Sequence, residues 1–147
     1  MHNPTRRIAA RLALALAGAC AACGAWASAD TSPRPGGVYR LKPGIYVAGD
    51  MGCAAPPNAA IRLYDGKGIG TAHTSACKAK VRKRRGNTYT VDQSCIDAGA
   101  GPGPRFVQRQ QVVVRDALTF TQVIGRSRTT YRYCPVSDLP PGLRNVL

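Results

Sequence analysis

Residues 77–95 of this 147-residue chain read CKAKVRKRRGNTYTVDQSC, and their alternating pattern is the strongest indication of the fold. Two runs of alternating side chains flank Arg85–Asn87, which is typical of an antiparallel hairpin whose loop holds a glycine. If those three residues form the loop, Cys77 lies directly opposite Cys95. The pattern therefore predicts a hairpin closed at its base by a disulfide.

The predicted register separates apolar from basic side chains, because successive residues of a strand point to opposite faces. One face holds the apolar and cysteine side chains: Cys77, Ala79, Val81, Tyr89, Val91 and Cys95. The other face holds a basic stripe: Lys78, Lys80, Arg82 and Arg84. A two-residue loop would place Arg82 beside Val91 on one face, so the hydrophobic pattern favours the three-residue loop.

Short runs rich in Val, Ile, Tyr, Phe and Thr continue along the chain, separated by Gly, Pro, Asn and Asp. No long window keeps apolar residues at helical spacing. The pattern predicts an all-β fold with these candidate strands: Val38–Leu41, Gly44–Ala48, Ala60–Tyr64, Ile69–His73, Cys77–Arg84, Thr88–Cys95, Phe106–Val114, Leu118–Ile124 and Thr130–Cys134.

Two further hairpins are predicted. The loop Arg115–Ala117 would place Val114 opposite Leu118 and Val112 opposite Phe120, and the Asp65-Gly66 turn would bring Leu63 to Ile69. Three hairpins in a small chain indicate an antiparallel meander that forms a barrel or a two-layer sandwich.

The N-terminal 29 residues carry the features of an export signal. A basic start with Arg6, Arg7 and Arg11 precedes an apolar stretch that ends in Ala27–Ala29, the small-x-small pattern that signal peptidase accepts. Roughly 15 apolar residues are too few to span a bilayer, which requires about 20. Arg6-Arg7 leaves twin-arginine export open, and Cys20 leaves lipoprotein processing open. We expect a periplasmic or secreted protein with no transmembrane segment after cleavage.

Cleavage leaves 118 residues, enough for one domain. We expect a flexible leader over residues 30–37 and a single β domain over residues 38–147. Gly99–Pro104 is predicted to be a flexible or turn-rich connection between two halves of the sheet.

Four cysteines remain after cleavage, and an even number in an exported chain predicts two disulfides. The hairpin register pairs Cys77 with Cys95, which leaves Cys53 with Cys134 by exclusion. No metal site is predicted, because the cysteines are far apart in sequence and only His73 accompanies them.

Positive charge is the main functional signal. Removal of three of the 21 Lys and Arg residues leaves 18 cations against seven Asp, a formal charge of +11 that attracts anionic partners. The basic stripe is the best candidate binding site, since its side chains repeat about every 6.6–6.8 Å along one face. Alternatively, the stripe only protects a sheet edge from aggregation. A second basic group comprises Arg126, Arg128 and Arg132.

Catalytic chemistry has little support in the sequence. The mature chain has no Glu, its Asp residues are scattered, and no nucleophile elbow accompanies His73. Turn chemistry accounts for Asp50, Asp65 and Asp97. We therefore predict a protein that is not an enzyme, has no catalytic residues and needs no cofactor.

Five segments resemble a loosely defined group of small exported bacterial proteins with two disulfides. They are Pro43–Tyr46, Asn58–Ala60, Tyr64–Gly68, the hairpin from Cys77 to Cys95, and Tyr131–Pro135. The chain is more distantly similar to periplasmic lysozyme-inhibitor-like barrels. The resemblance implies a compartment and a fold but no site, and a charge of +11 differs from that expected of an inhibitor of a basic lysozyme.

These features favour an exported binding module whose basic surface binds an anionic macromolecule. An acidic protein, as in inhibition of or immunity against an exported toxin, is the first expected partner, and an anionic envelope polymer or lipid head group is the second. Nucleic acid fits poorly, because no aromatic side chains interleave with the charge and an exported protein does not meet it. A small hydrolase and a structural envelope protein are the alternatives.

We predict that the exported protein begins at Asp30. Mass spectrometry of the N-terminal peptide checks this, because cleavage after Ala29 leaves a free amine on Asp30. An intact Met1, or a lipid on Cys20, would contradict the predicted signal.

Overall fold

A computed structural model describes residues 34–98 and 103–146 of the protein. The predicted export signal, residues 30–33 of the predicted leader and residues 99–102 of the predicted connection lie outside the described residues. The end of the leader contacts the domain, because the Gly36 amide donates a 3.0 Å hydrogen bond to the Leu41 carbonyl.

Eight strands form the domain, and the described residues contain no α-helix. The strands are β1 (Gly44–Ala48), β2 (Ile61–Tyr64), β3 (Ile69–Gly70), β4 (Thr74–Arg85), β5 (Thr88–Asp97), β6 (Arg105–Asp116), β7 (Thr119–Ile124) and β8 (Ser127–Cys134). Three short 3₁₀ turns cover Asn58–Ala60, Val136–Asp138 and Pro141–Leu143.

All neighbouring strands are antiparallel, in the order β3-β2-β1-β8-β7-β6-β5-β4. β4 to β8 form a continuous meander. The pairing of β1 with β8, from Ile45 opposite Cys134 to Ala48 opposite Tyr131, joins this meander to the N-terminal strands. The sheet curls into a nearly closed barrel, which confirms the predicted all-β antiparallel fold.

The barrel nearly closes where the end strands β3 and β4 approach each other. The Ala79 amide of β4 donates a 2.8 Å hydrogen bond to the Lys67 carbonyl, just before β3. Gly68 lies at this seam, and a Cβ there would meet the Cys77 carbonyl carbon at 2.8 Å. Any larger residue at position 68 would force the two strands apart.

Aromatic rings fill much of the barrel interior. Tyr46 packs edge-on against Phe120, and Phe120 stacks on Tyr131, with ring centroids 5.2 Å apart in both pairs. Tyr39 packs against Tyr64 and Tyr89. Such pairs add to the free energy gained by burying their apolar surface.

A row of hydrogen-bonded polar side chains crosses the same interior. The Arg62 guanidinium donates to Gln122, the Gln122 amide to Gln110, and the Gln110 amide to Gln93, over 2.9, 2.6 and 3.4 Å. Burial lowers the pKa of the Arg62 guanidinium. This row connects β2 with β7, β6 and β5 across the barrel, so each buried amide has a partner.

A second apolar cluster lies on the outer face of β1. It contains Ile45, Val47, Ala60, Ile61, Cys134 and Leu139. The loop that carries Cys53 is tied to this cluster by the Cys53–Cys134 disulfide. β1 is therefore buried on both faces.

Both predicted disulfides are confirmed. Cys77 and Cys95 lie across the β4–β5 pair with Cα atoms 4.2 Å apart, and Cys53 joins Cys134 with Cα atoms 5.7 Å apart. Directly opposed strand residues fall within the range that a disulfide can bridge, which is why the hairpin register identified the first pair.

The other two hairpin registers were predicted wrongly. Val114 pairs with Phe120 rather than Leu118, because Leu118 lies in the turn, where its amide donates to the Asp116 carboxylate. This slip of two residues preserves the faces, so Val112 and Phe120 still share the core.

The second error is a slip of one residue in the β2–β3 hairpin. Tyr64, not Leu63, pairs with Ile69. The Asp65 carboxylate accepts hydrogen bonds from the Lys67 and Gly68 amides, which lengthens the turn to four residues and gives Asp65 a turn role, as expected.

Three strand predictions also need correction. Residues 38–41 form a turn and an isolated bridge to Gly36, not a strand, and Arg40 there has a positive φ of 55°. The strand predicted over Ile69–His73 ends at Gly70. β8 begins at Ser127, three residues before the predicted start, because Gly125-Arg126 forms a tight turn after β7.

We predict that loss of the Cys53–Cys134 disulfide destabilises the fold more than loss of Cys77–Cys95. Its cysteines are 81 residues apart, whereas those of Cys77–Cys95 are 18 apart. Through the loop-closure entropy removed from the unfolded chain, the two disulfides contribute about 4.5 and about 3 kcal/mol respectively to the free energy of unfolding. Urea unfolding of the two double Cys→Ala variants measures the difference. A larger loss in the hairpin variant would contradict this order.

Candidate anion-binding surface

The β4–β5 hairpin follows the predicted register only as far as Val81. Ala79 pairs with Gln93 and Val81 with Val91, as expected, but a β-bulge after Val81 then places Lys83 opposite Thr90. The predicted three-residue loop is therefore wrong. The turn has two residues, Gly86-Asn87, because the bulge absorbs the residue that the longer loop would have held.

Gly86 makes this shorter turn possible. Its φ is +54°, which suits the first position of a tight hairpin turn and which a residue with a Cβ rarely adopts. The Gly-Asn pair itself is the sequence signal that could have revealed the two-residue turn.

The bulge reverses the faces beyond it. Arg84 pairs with inward-facing Tyr89, and its guanidinium lies over the Tyr89 ring at 4.9 Å. The prediction that Arg84 shares a face with Lys78, Lys80 and Arg82 is therefore wrong. Lys83 takes its place on the outer face, beside Arg82.

We define the basic face as eight charged side chains that point outward where β4, β5 and β6 pair with one another. It contains seven cations and one carboxylate: Lys78, Lys80, Arg82, Lys83, Arg85, Arg105, Arg109 and Asp92. Arg105 and Arg109 were missed in the sequence, although the alternation over residues 105–111 places both on one face of a strand.

Asp92 lies at the centre of the basic face between two arginines. Its carboxylate accepts from the Arg109 Nε at 2.9 Å and from the Arg82 Nε at 2.6 Å. Hydrogen bonds from Arg109 and then from Arg82 lower the pKa of Asp92 from 3.8 to about 2. One carboxylate thus orients two guanidinium groups and leaves this trio with a net positive charge.

Arg105 is held at one end of the face. Its guanidinium donates to the Ser94 hydroxyl at 3.0 Å and to the Ala76 carbonyl at 3.3 Å. These neutral acceptors fix the side chain and leave its charge uncompensated.

A cleft of about 380 Å³ opens at the hairpin end of the basic face. It is lined by Lys83, Arg85, Thr88, Thr90 and Gln111. The register explains this grouping, because Lys83 pairs with Thr90, Arg85 with Thr88, and Thr90 with Gln111 on β6. Within the described part of the chain, none of the five lining side chains makes a hydrogen bond or ion pair.

The second predicted basic group lies apart from this cleft. Arg126 is in the β7–β8 turn, and Arg128 and Arg132 are exposed on β8. Arg128 is in the same cross-sheet row as Lys83, but it lies four strands away, roughly 19 Å along the curled sheet. The structure therefore brings Lys78, Lys80 and Arg82 together and leaves this second group on another part of the barrel.

His73 is exposed in the turn between β3 and β4. Its backbone amide donates to the Thr71 hydroxyl at 3.2 Å, and the Thr71 and Thr74 hydroxyls lie 3.3 Å apart. These contacts organise the turn. Among residues 34–98 and 103–146, no three His, Cys, Asp or Glu side chains are grouped to hold a metal ion.

Two disulfides indicate a non-cytoplasmic, oxidising compartment. No helix among the described residues has the length and apolar character needed to span a membrane. Comparison of the chain with protein-family models, curated proteins and solved structures gives no match.

We predict that Asp92 titrates near pH 2 and that Arg109→Gln raises its pKa towards 3.8, because Arg109 makes the largest contribution to the shift. Carboxylate NMR during an acid titration measures both values. Since the pKa is lower in the folded state, this contribution to stability is present above about pH 4 and is lost as the pH falls towards 2. An unchanged Asp92 pKa in Arg109→Gln, or an equal rise in the control Arg105→Gln, would contradict the assignment.

Proposed function

We propose that this protein is an exported, non-enzymatic binding module and that its basic face binds an anionic macromolecule. The observation that carries this proposal is the concentration of seven cations around one carboxylate on the outer surface of three adjacent strands. The export signal and a periplasmic or secreted location belong to the same proposal, and the two disulfides support them.

Rigid strands support the basic face. Its central carboxylate is 13 % exposed and fixes Arg82 and Arg109 by short hydrogen bonds, while Lys78 and Lys80 extend from the same strand face. Side chains held on strands lose less freedom when a ligand binds than those on loops. The face is thus organised for recognition, beyond what a charged, aggregation-resistant edge needs.

A polyanion with repeated charges fits this face better than an acidic protein does. Protein partners gain most of their affinity from a few desolvated aromatic or apolar anchors. The exposed apolar side chain on this face is Val107, which is 65 % exposed and lies opposite Ser94 near one end. Around the Asp92 carboxylate, the centre of the face is formed by cations, hydroxyls and an amide, which favour an anionic envelope polymer or head group.

We predict that Lys78→Gln/Lys80→Gln slows association with heparin, a sulfated glycan, mainly at low salt. Long-range attraction accelerates encounter and is screened by ions. Two lost contacts should reduce the slope of log affinity against log salt by roughly 1–2. Stopped-flow and titration measurements over a range of salt concentrations test both effects.

Arg126→Gln/Arg128→Gln is the matched control, since it removes two exposed cations on the β7–β8 hairpin, away from the basic face. Equal effects in the two variants would show that net charge acts without a defined surface, and no effect in either would reject the proposed function. Stronger binding to poly-L-glutamate than to heparin would favour an acidic protein as the partner.

A further inference from the structure

We propose that the cleft beside the β-bulge is a binding site for a terminal phosphomonoester group. The inference rests on the proposed function and names the chemical group that the basic face would anchor. It is carried by the lining of the cleft, which combines Lys83 and Arg85 with Thr88, Thr90 and one amide side chain.

The strand register sets the geometry of the cleft. Lys83 and Thr90 form one cross-strand pair and Arg85 and Thr88 the next, so four donor-bearing side chains stand at the corners of a rectangle. Its sides are about 5 Å between strands and about 6.8 Å along them. The long side chains of Lys83 and Arg85 on β4 can therefore reach the same ligand group as the short Thr88 and Thr90 hydroxyls on β5.

Charge balance selects the class of ligand. The lining has two cations and no carboxylate, and these cations have no ion-pair partner among the described residues. A phosphomonoester carries a charge of about −1.5 to −2 at pH 7 and has three terminal acceptor oxygens. A carboxylate or a phosphodiester brings one negative charge and fewer terminal oxygens, so it neutralises only half of the positive charge of the cleft.

The basic face continues from the cleft towards the other end of the sheet. Arg82 and Arg109 follow around Asp92, and then Lys80 and Lys78. A phosphomonoester bound in the cleft would thus have further cations beside it for the remaining negative charges of its carrier. Phosphorylated glycans and lipid head groups both present such a terminal group.

Phosphate titration on the purified protein, followed by backbone NMR, tests the site. We expect inorganic phosphate to shift the Lys83, Arg85, Thr88 and Thr90 signals most, and acetate at equal ionic strength to leave them in place. Lys83→Gln/Arg85→Gln should weaken phosphate binding roughly tenfold or more, because charge-assisted hydrogen bonds are lost. Lys78→Gln/Lys80→Gln removes the same charge and should weaken it less than about threefold.

Thr88→Val/Thr90→Val separates hydrogen bonding from charge and from folding, since valine keeps the shape and strand preference of threonine. We expect this variant to remain folded and to bind phosphate several-fold more weakly. Unchanged affinity in both the threonine variant and Lys83→Gln/Arg85→Gln would overturn the proposal.

The pH dependence gives an independent readout. The charged groups on the surrounding strands are Lys83, Arg84 and Arg85, then Arg82, Asp92 and Arg109, then Arg115 and Asp116 at the end of β6, and Arg128 farther along the row. Lys and Arg ordinarily stay charged between pH 5.5 and 7.5, and the pKa of Asp92 is about 2. Affinity for phosphate should therefore fall as the pH is lowered from 7.5 to 5.5, because phosphate takes up its second proton near pH 6, whereas sulfate should show a flat profile.

Two ligands distinguish a lipid from a sugar as the carrier of the phosphomonoester. Phosphatidylcholine vesicles containing phosphatidic acid present a monoester on a lipid, and glucose 1-phosphate presents one on a sugar. Binding to either supports the site, and the stronger ligand assigns the source. Equal binding to vesicles containing phosphatidylglycerol, a diester, would overturn the monoester assignment. Heparin binding that depends on Lys78 and Lys80, together with phosphate binding that is unchanged in the cleft variants, would retain the proposed function and reject this inference.

Discussion

The β-bulge after Val81 is the constraint on which the surface of this barrel depends. The disulfide requires Cys77 to lie opposite Cys95, while the tight Gly86-Asn87 turn requires a register one residue different. A single extra residue in β4 reconciles the two requirements. It also turns Arg84 onto the Tyr89 ring and presents Lys83 and Arg85 on the outside, where they line the cleft.

Behind this surface, the barrel provides rigidity through two kinds of interior contact. Tyrosine and phenylalanine rings fill one part of the interior, and the row from Arg62 through three glutamines crosses another. Gln93 ends that row and also accepts a 3.3 Å hydrogen bond from the Ile69 amide of β3. β5, the strand that carries Thr88, Thr90 and Asp92, is therefore hydrogen-bonded through the inward side chain of Gln93 to β3, the strand at the other end of the sheet.

The cations of the basic face have two kinds of surroundings. Around Asp92 the positive charge is partly compensated, and the two arginines are fixed in orientation by a carboxylate whose pKa of about 2 keeps it ionised in ordinary conditions. In the cleft it is uncompensated among the described residues. The two uncompensated cations of the cleft suit a ligand group with a concentrated negative charge, and the partly compensated cations around Asp92 suit the weaker negative charges that follow it.

The all-β class, both disulfide pairs and the faces of most strands were predictable from the amino-acid pattern, because the two-residue period is local and acts on every strand. Even the β6–β7 hairpin, with its register wrong by two residues, kept Val112 and Phe120 in the core. The bulge, the pairing of β1 with β8, and the convergence of Arg82 from β4 and Arg109 from β6 on Asp92 were not predictable in this way. These depend on contacts between distant residues and on the barrel closure, which no local period encodes.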